Sequence, residues 1–174
     1  MGDVYQEYLL KRKMTAVGVA VRVFFVSLCF SLACLGIMYI QPMFLMLAVA
    51  FGYLTKYVFQ QTDVEYEYQY LNGECQFDKI CGKTRRKTLG KMEMTKIEVI
   101  APEGSQELAQ YEKQNHIIKD YSSLEKNEDR YIAFERRDSG LIKIIFEPNE
   151  TIIKEMQKMA PRKVRIKGEE KRAY

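Results

Sequence analysis

The sequence predicts an N-terminal transmembrane α-helical hairpin followed by a mainly-β (α+β) domain, a small barrel with a C-terminal capping helix. Three observations predict it. Val23 to Thr55 is a run of 33 residues without Asp, Glu, Lys or Arg. Gln41-Pro42 interrupts that run near its middle. Beyond residue 60, alternating apolar and polar residues, Asn-Gly and Ser-Gly turns and a closing amphipathic stretch take over. The expected divisions are a basic N-terminal segment at 1–15, a two-helix hairpin at 16–60 with its turn at 41–42, a β domain at 61–161 and a basic tail at 162–174.

The average composition conceals this division. Mean hydropathy is −0.29, as in many water-soluble chains. The net charge of +4 is concentrated near the apolar run: residues 1–60 carry Lys11, Arg12, Lys13, Arg22 and Lys56 against Asp3 and Glu7. The remainder holds 22 basic and 21 acidic side chains, so no strongly basic domain exists to favour nucleic acid.

A bilayer core of about 30 Å needs roughly 20 helical residues, and one helix of the whole run would reach roughly 50 Å. Proline has no amide donor and disfavours helix in the residue before it, so the chain should turn at Gln41-Pro42. Two spans result, about Val17–Ile40 and Met43–Phe59, the second being short. Arg22 and Lys56 lie just inside the spans, where long side chains can carry their charges back to the headgroups. A buried hairpin in a soluble protein is disfavoured, because a domain this small cannot cover so much apolar chain. A cleaved signal peptide is disfavoured further, by the length of the segment and by the second span. A re-entrant hairpin that never crosses is the remaining rival. Since Lys11, Arg12, Lys13, Arg22 and Lys56 flank the spans and the tip has no charge, both termini and the β domain are expected in the cytoplasm, on a multi-pass protein of the cell membrane. Ser27/Ser31 and Ala48/Gly52 are small residues four apart that could let helices approach closely.

Cys29 and Cys34 fall in the first span, Cys75 and Cys81 beyond it. A reducing cytoplasm argues against a disulfide, and the spacing with a single histidine, His116, argues against zinc. His116 sits in a polar stretch and reads as a surface residue. No phosphate-cradling glycine loop or nucleophile elbow is present. The expectation is a protein that is not an enzyme, with no catalytic, cofactor-binding or metal-binding residues and no cofactor.

In "VEYEYQYLNGECQF", Val64, Tyr66, Tyr68 and Tyr70 alternate with Glu65, Glu67 and Gln69, the period of a half-buried strand. Asn72-Gly73 suits a two-residue hairpin turn, and Cys75 and Phe77 continue on the return strand. Further strands are expected at Lys83–Leu89, Ile97–Ala101, about Ile117–Tyr121, Arg130–Arg136 and Leu141–Phe146, with a short helix near Ser105–Tyr111. Asn149 can cap a helix whose Ile152, Ile153, Met156 and Met159 share one face, ended by Pro161. Six or seven antiparallel strands and one capping helix follow.

Residues 64–160 resemble a bacterial pleckstrin-homology-like domain, a bent seven-stranded sheet closed at one end by a C-terminal helix. With its "MGDVYQEYLLKRK", "DVEYEY", "APEGS" and "IIFEPNE", the whole chain is similar to a family of bacterial two-span membrane proteins with no assigned activity. Phosphoinositide-binding members of the pleckstrin superfamily use bases in a long loop between their first two strands. Here that connection reads as Asn72-Gly73, and the tryptophan typical of their last helix is missing, so inositol-lipid recognition does not carry over.

The expected function is a membrane-anchored cytoplasmic interaction module that binds a protein partner or an anionic membrane surface. Lys83, Arg85, Arg86 and Lys87, with Lys79 and Lys91 nearby, are the candidates for anionic-lipid contact. The alternative is a subunit of a membrane-associated enzyme or transport complex.

Overall fold

A computed structural model describes residues 5–125 and 129–168. The order is β1 (Tyr5–Lys11), α1 (Ala16–Met38), α2 (Pro42–Thr62), β2 (Val64–Leu71), β3 (Glu74–Cys81), β4 (Arg85–Glu93), β5 (Ile97–Pro102), a 3₁₀ turn (Gln106–Leu108), α3 (Ala109–Glu112), β6 (His116–Asp120), β7 (Tyr131–Arg137), β8 (Gly140–Phe146) and α4 (Glu150–Met159). Two compact units divide it. One comprises the described residues of 1–12, 65–79 and 87–174; the other comprises 13–64 and 80–86.

The first unit contains two four-stranded sheets, ordered β1-β2-β3-β4 and β5-β7-β8-β6. The first strand corrects the sequence reading. Tyr5–Lys11 belongs to no free basic segment: it pairs antiparallel with β2, from Tyr5 opposite Leu71 to Lys11 opposite Glu65. The apolar helices are therefore inserted between the first two strands of a sheet. Asn72-Gly73 joins the second and third strands, not the first and second.

Asn72 and Gly73 have φ of 47° and 89°, and Gly82 and Lys83 have 56° and 59°. These paired left-handed residues match the twist of the strands they join. A second correction concerns β6, which runs parallel to β8 where antiparallel pairing was expected. With its neighbours at the far side of β8, β7 and β5, it brings the described strands to eight.

Tyr66, Tyr68 and Tyr70 point inward as their alternation predicts, but Glu65 and Glu67 are buried too. A strand with neighbours on both sides and cover on both faces does not keep one wet face. The Tyr68 hydroxyl donates to the carbonyl of Tyr121 at 2.7 Å and accepts from the amide of Glu147 at 3.3 Å. Its ring meets Phe77 edge-on, and Phe77 stacks on Tyr121 at 4.4 Å between centroids. A second cluster gathers Val99, Ala101, Leu108, Ile132, Phe134 and Leu141.

Asn149 caps α4 by accepting from the amide of Ile152 at 2.8 Å. Ile152, Ile153 and Met156 are buried, whereas Met159 is exposed and does not share their covered face. The segment after α4 is not a free tail as far as residue 168: Ile100 donates to the carbonyl of Lys163 at 2.7 Å, Arg165 donates back to Ile100 at 2.8 Å, and Val164 is buried between them. The rest of the expected tail, 169–174, lies outside the described residues.

In the second unit, Thr15 caps α1 by accepting from the amide of Gly18 at 3.2 Å. Pro42 opens α2, where its missing amide would have no helical partner. The second helix is longer than expected, 21 residues to Thr62. Close approach near the turn depends on Gly36: a β-carbon there would stand 2.8 Å from Leu45 Cγ and 3.2 Å from its backbone nitrogen. Ala48 is buried, and its carbonyl accepts from Cys29 Sγ at 3.3 Å. Ser27 and Ser31 instead donate within their own helix, and a β-carbon on Gly52 would meet nothing within 4 Å, so these do not form the helix contact.

Two outcomes test this architecture. Joining Arg12 to Val64 through an Asn-Gly turn should give a folded, β-rich chain by circular dichroism. A chain starting at residue 62 should melt at lower temperature, because it exposes the β2 edge that β1 covers. The second outcome concerns pH. Burial pushes the Cys75 thiol and the Tyr68 phenol well above their ordinary values near 9 and 10. Folding favours their neutral forms, so this contribution is complete below those ordinary values and is lost as pH climbs toward the folded ones. Thermal stability in detergent should therefore hold from neutrality to about pH 9 and fall above it.

Candidate functional site

The basic candidates fall into distinct settings. Lys83, Arg85 and Arg86 lie at the β3–β4 turn, within the same compact unit as the apolar helices. The turn is fastened to the end of α2. Gly82 donates to the carbonyl of Asp63 at 2.9 Å, and a β-carbon on Gly82 would stand 2.8 Å from Gln60 Cβ. The Arg85 guanidinium lies over the Tyr57 ring at 5.6 Å. Lys83, Arg85 and Arg86 are nonetheless exposed, and Lys83 holds a left-handed backbone that Gly or Asn would adopt at lower cost. Lys87 is exposed on β4, within the β unit.

Arg22 does not simply extend into solvent. It reaches from α1 to the end of α2, donating from Nε to Thr62 Oγ1 at 2.6 Å and from Nη2 to the Phe59 carbonyl at 3.0 Å. Its guanidinium also covers the Phe59 ring at 4.5 Å. It thus adds a donor to a carbonyl that already accepts from the Asp63 amide at 3.1 Å, and it places a cation at the negative end of the helix dipole. Lys56 is exposed on α2, and Lys13 is exposed between β1 and α1. Lys11 stands opposite Glu65 in the first sheet. Arg12 donates to the Tyr66 hydroxyl at 2.6 Å and lies over its ring, so it helps hold the domain together.

Sequence reasoning missed the burial of several acids. Glu135 is fully buried and pairs with Arg137 at 2.7 Å; Glu147 pairs with Arg130 at 3.4 Å. An available signal was arginine following or preceding a β-rich run, since its planar fork suits enclosed carboxylates better than lysine does.

A cleft of about 570 Å³ opens in the β unit beside the Asn72-Gly73 turn. Met94, Met159 and Pro161 give it an apolar wall, with Glu93 and Arg162 at its rim. Elsewhere, His116 is half-buried, with its ring edge toward Phe134 at 5.6 Å. Among the described residues, no three His, Cys, Asp or Glu side chains gather as a metal site. The arrangement best suited to chemistry outside the core is the exposed cation group at the β3–β4 turn, whose guanidinium and ammonium groups suit phosphate oxygens.

Two long apolar helices inserted into a two-sheet domain with a C-terminal helix mark a membrane protein carrying a β module. The chain belongs to the family described as "Bacterial PH-like domain (DUF6106)", whose model matches residues 2–166 and whose function is unknown. No curated protein and no solved structure matches it.

Gly73 offers a test of the cleft wall. A valine there would meet the Met159 side chain at 2.7 Å, but Met159 is exposed and can swing aside. Backbone strain at φ 89° is then the main cost. Gly73→Val should lower unfolding stability by about 1–2 kcal/mol, while Gly73→Asn should cost less, measured by denaturant melting.

Proposed function

We propose that this protein is a non-catalytic, membrane-anchored cytoplasmic module whose β3–β4 turn engages anionic headgroups beside its own apolar hairpin. The observation that carries the reading is the fastening of the basic turn to the end of α2 through Gly82, Asp63 and the Arg85–Tyr57 contact. A cation group held at the end of an apolar helix suits the headgroup level, where each base contributes about 1 kcal/mol near an anionic leaflet. The β1–β2 ladder supports the topology, because it requires both ends of the hairpin to return to one side. The positive residues around those ends support a cytoplasmic location for that side. A protein partner is the competing occupant of the same cations.

The test uses the full chain in proteoliposomes, with a fluorophore on Thr84→Cys and quenchers attached to lipid headgroups. Quenching should be stronger with anionic than with neutral lipid, and should weaken as salt shortens the Debye length below about 8 Å. Replacing Lys83, Arg85, Arg86 and Lys87 with Gln should remove the anionic preference, and replacing Lys83 and Lys87 alone should weaken it without lowering the melting temperature. Lys83→Asn should relieve the left-handed strain and stabilise the turn while reducing lipid contact. Equal quenching in neutral and anionic membranes would remove the electrostatic mechanism and favour a protein partner.

A further inference from the structure

The opposite end of the hairpin has a different chemistry. Only Tyr39 to Gln41 separate α1 from α2. The turn is closed by the Gln41 amide donating to the Gly36 carbonyl at 3.2 Å, with Ile40 at φ 50°. Such a position usually belongs to glycine, because a β-carbon there crowds the backbone. Isoleucine is a poor choice for this turn, and the protein gives it no packing in return: its side chain is 88% exposed. Met38 and Met43 beside it are 75% and 60% exposed. A turn standing in water would be better served by glycine or asparagine.

Length points the same way. Between Arg22 and the turn, α1 has 16 residues free of charge, Val23–Met38; between the turn and Lys56, α2 has 14, Pro42–Thr55. These arms reach about 24 and 21 Å, less than a hydrocarbon core of about 30 Å. With Arg22 and Lys56 directed toward the near headgroups, the turn stops within the far leaflet, a few ångströms short of the far boundary of the core. Tyr39 and Gln41 can there direct polar atoms outward, as tyrosine commonly does at membrane interfaces.

We infer that the turn is a lipid-embedded cap: Met38, Ile40 and Met43 lie among the acyl chains of the far leaflet, beneath its headgroups, and no loop stands in the water beyond. The partner of this surface is lipid hydrocarbon, and the strained isoleucine is retained for its side chain. This rests on the anchoring proposed above, and the experiment separates the two.

The full chain is placed in sealed vesicles of phosphatidylcholine and phosphatidylglycerol, carrying Cys29→Ala, Cys34→Ala and Cys81→Ala, with buried Cys75 retained. An environment-sensitive dye is attached at Ile40→Cys or, separately, at Gly52→Cys, a mid-helix position with open space around it. Both dyes should emit at short wavelength and be quenched by lipids labelled along their acyl chains. Neither should be quenched by iodide on either side of the vesicle. Adding Met38→Lys and Met43→Lys should shift the residue-40 dye to longer wavelength and admit iodide from the far side, leaving residue 52 unchanged. If residue 52 is quenched by lipid while residue 40 is quenched by iodide without those lysines, the embedded cap is wrong and the anchor stands. If neither position is quenched by lipid, the anchor fails and the cap fails with it.

Discussion

The seven-residue ladder between β1 and β2 is the constraint on which the rest depends. It gathers the two ends of a 52-residue insertion, residues 12–63, onto adjacent strands. A sheet cannot pair Lys11 with Glu65 unless the intervening chain goes out and comes back. An odd number of membrane crossings is thereby incompatible with the fold. The contacts near the insertion share this logic: Arg12 ties the end of β1 to Tyr66, and Arg22 ties α1 to the end of α2. Each bridges chain that is distant in sequence at a place where the path must close.

Charge is divided according to what each site can accommodate. Carboxylates inside the β unit, Glu135 and Glu147, are matched with Arg137 and Arg130. Removing one partner from such an enclosed pair costs about 3–5 kcal/mol, so these arginines are bound to the fold. Exposed pairs such as Lys154–Glu150 contribute little, because water and salt screen them. The cations Lys83, Arg85 and Arg86 at the β3–β4 turn are exposed and belong to the same compact unit as the helices.

Much of the architecture could be read from the sequence because the relevant signals were local. Gln41-Pro42 marked the turn between helices, Asn72-Gly73 marked a hairpin, and Asn149 marked the start of the last helix. What escaped depended on distant partners. Tyr5–Lys11 looked like basic flank because its paired strand lies beyond the hairpin. The parallel pairing of β6 with β8 has no local signature, and Glu65 and Glu67 look exposed until both neighbours of β2 are known. At the candidate site, Lys83, Arg85 and Arg86 were legible as a charge cluster. Their attachment to Asp63, Gln60 and Tyr57 was not, since it joins a turn to a helix end by backbone and ring contacts that leave no spacing in the sequence.

The inserted hairpin also dictates an order of events at the ribosome. β1 leaves first, but its hydrogen-bonding partner follows more than fifty residues later. At a synthesis rate of about 5–20 residues per second, β1 waits for seconds as an unpaired strand while the apolar helices emerge. The ladder can close only after those helices have turned back, so formation of the hairpin becomes a precondition for completing the sheet. A nascent chain whose hairpin stalls would keep an open strand edge, the kind of surface on which chaperones and proteases act. The state of the helical hairpin is thus recorded in the sheet, which reaches its finished form only when the hairpin has.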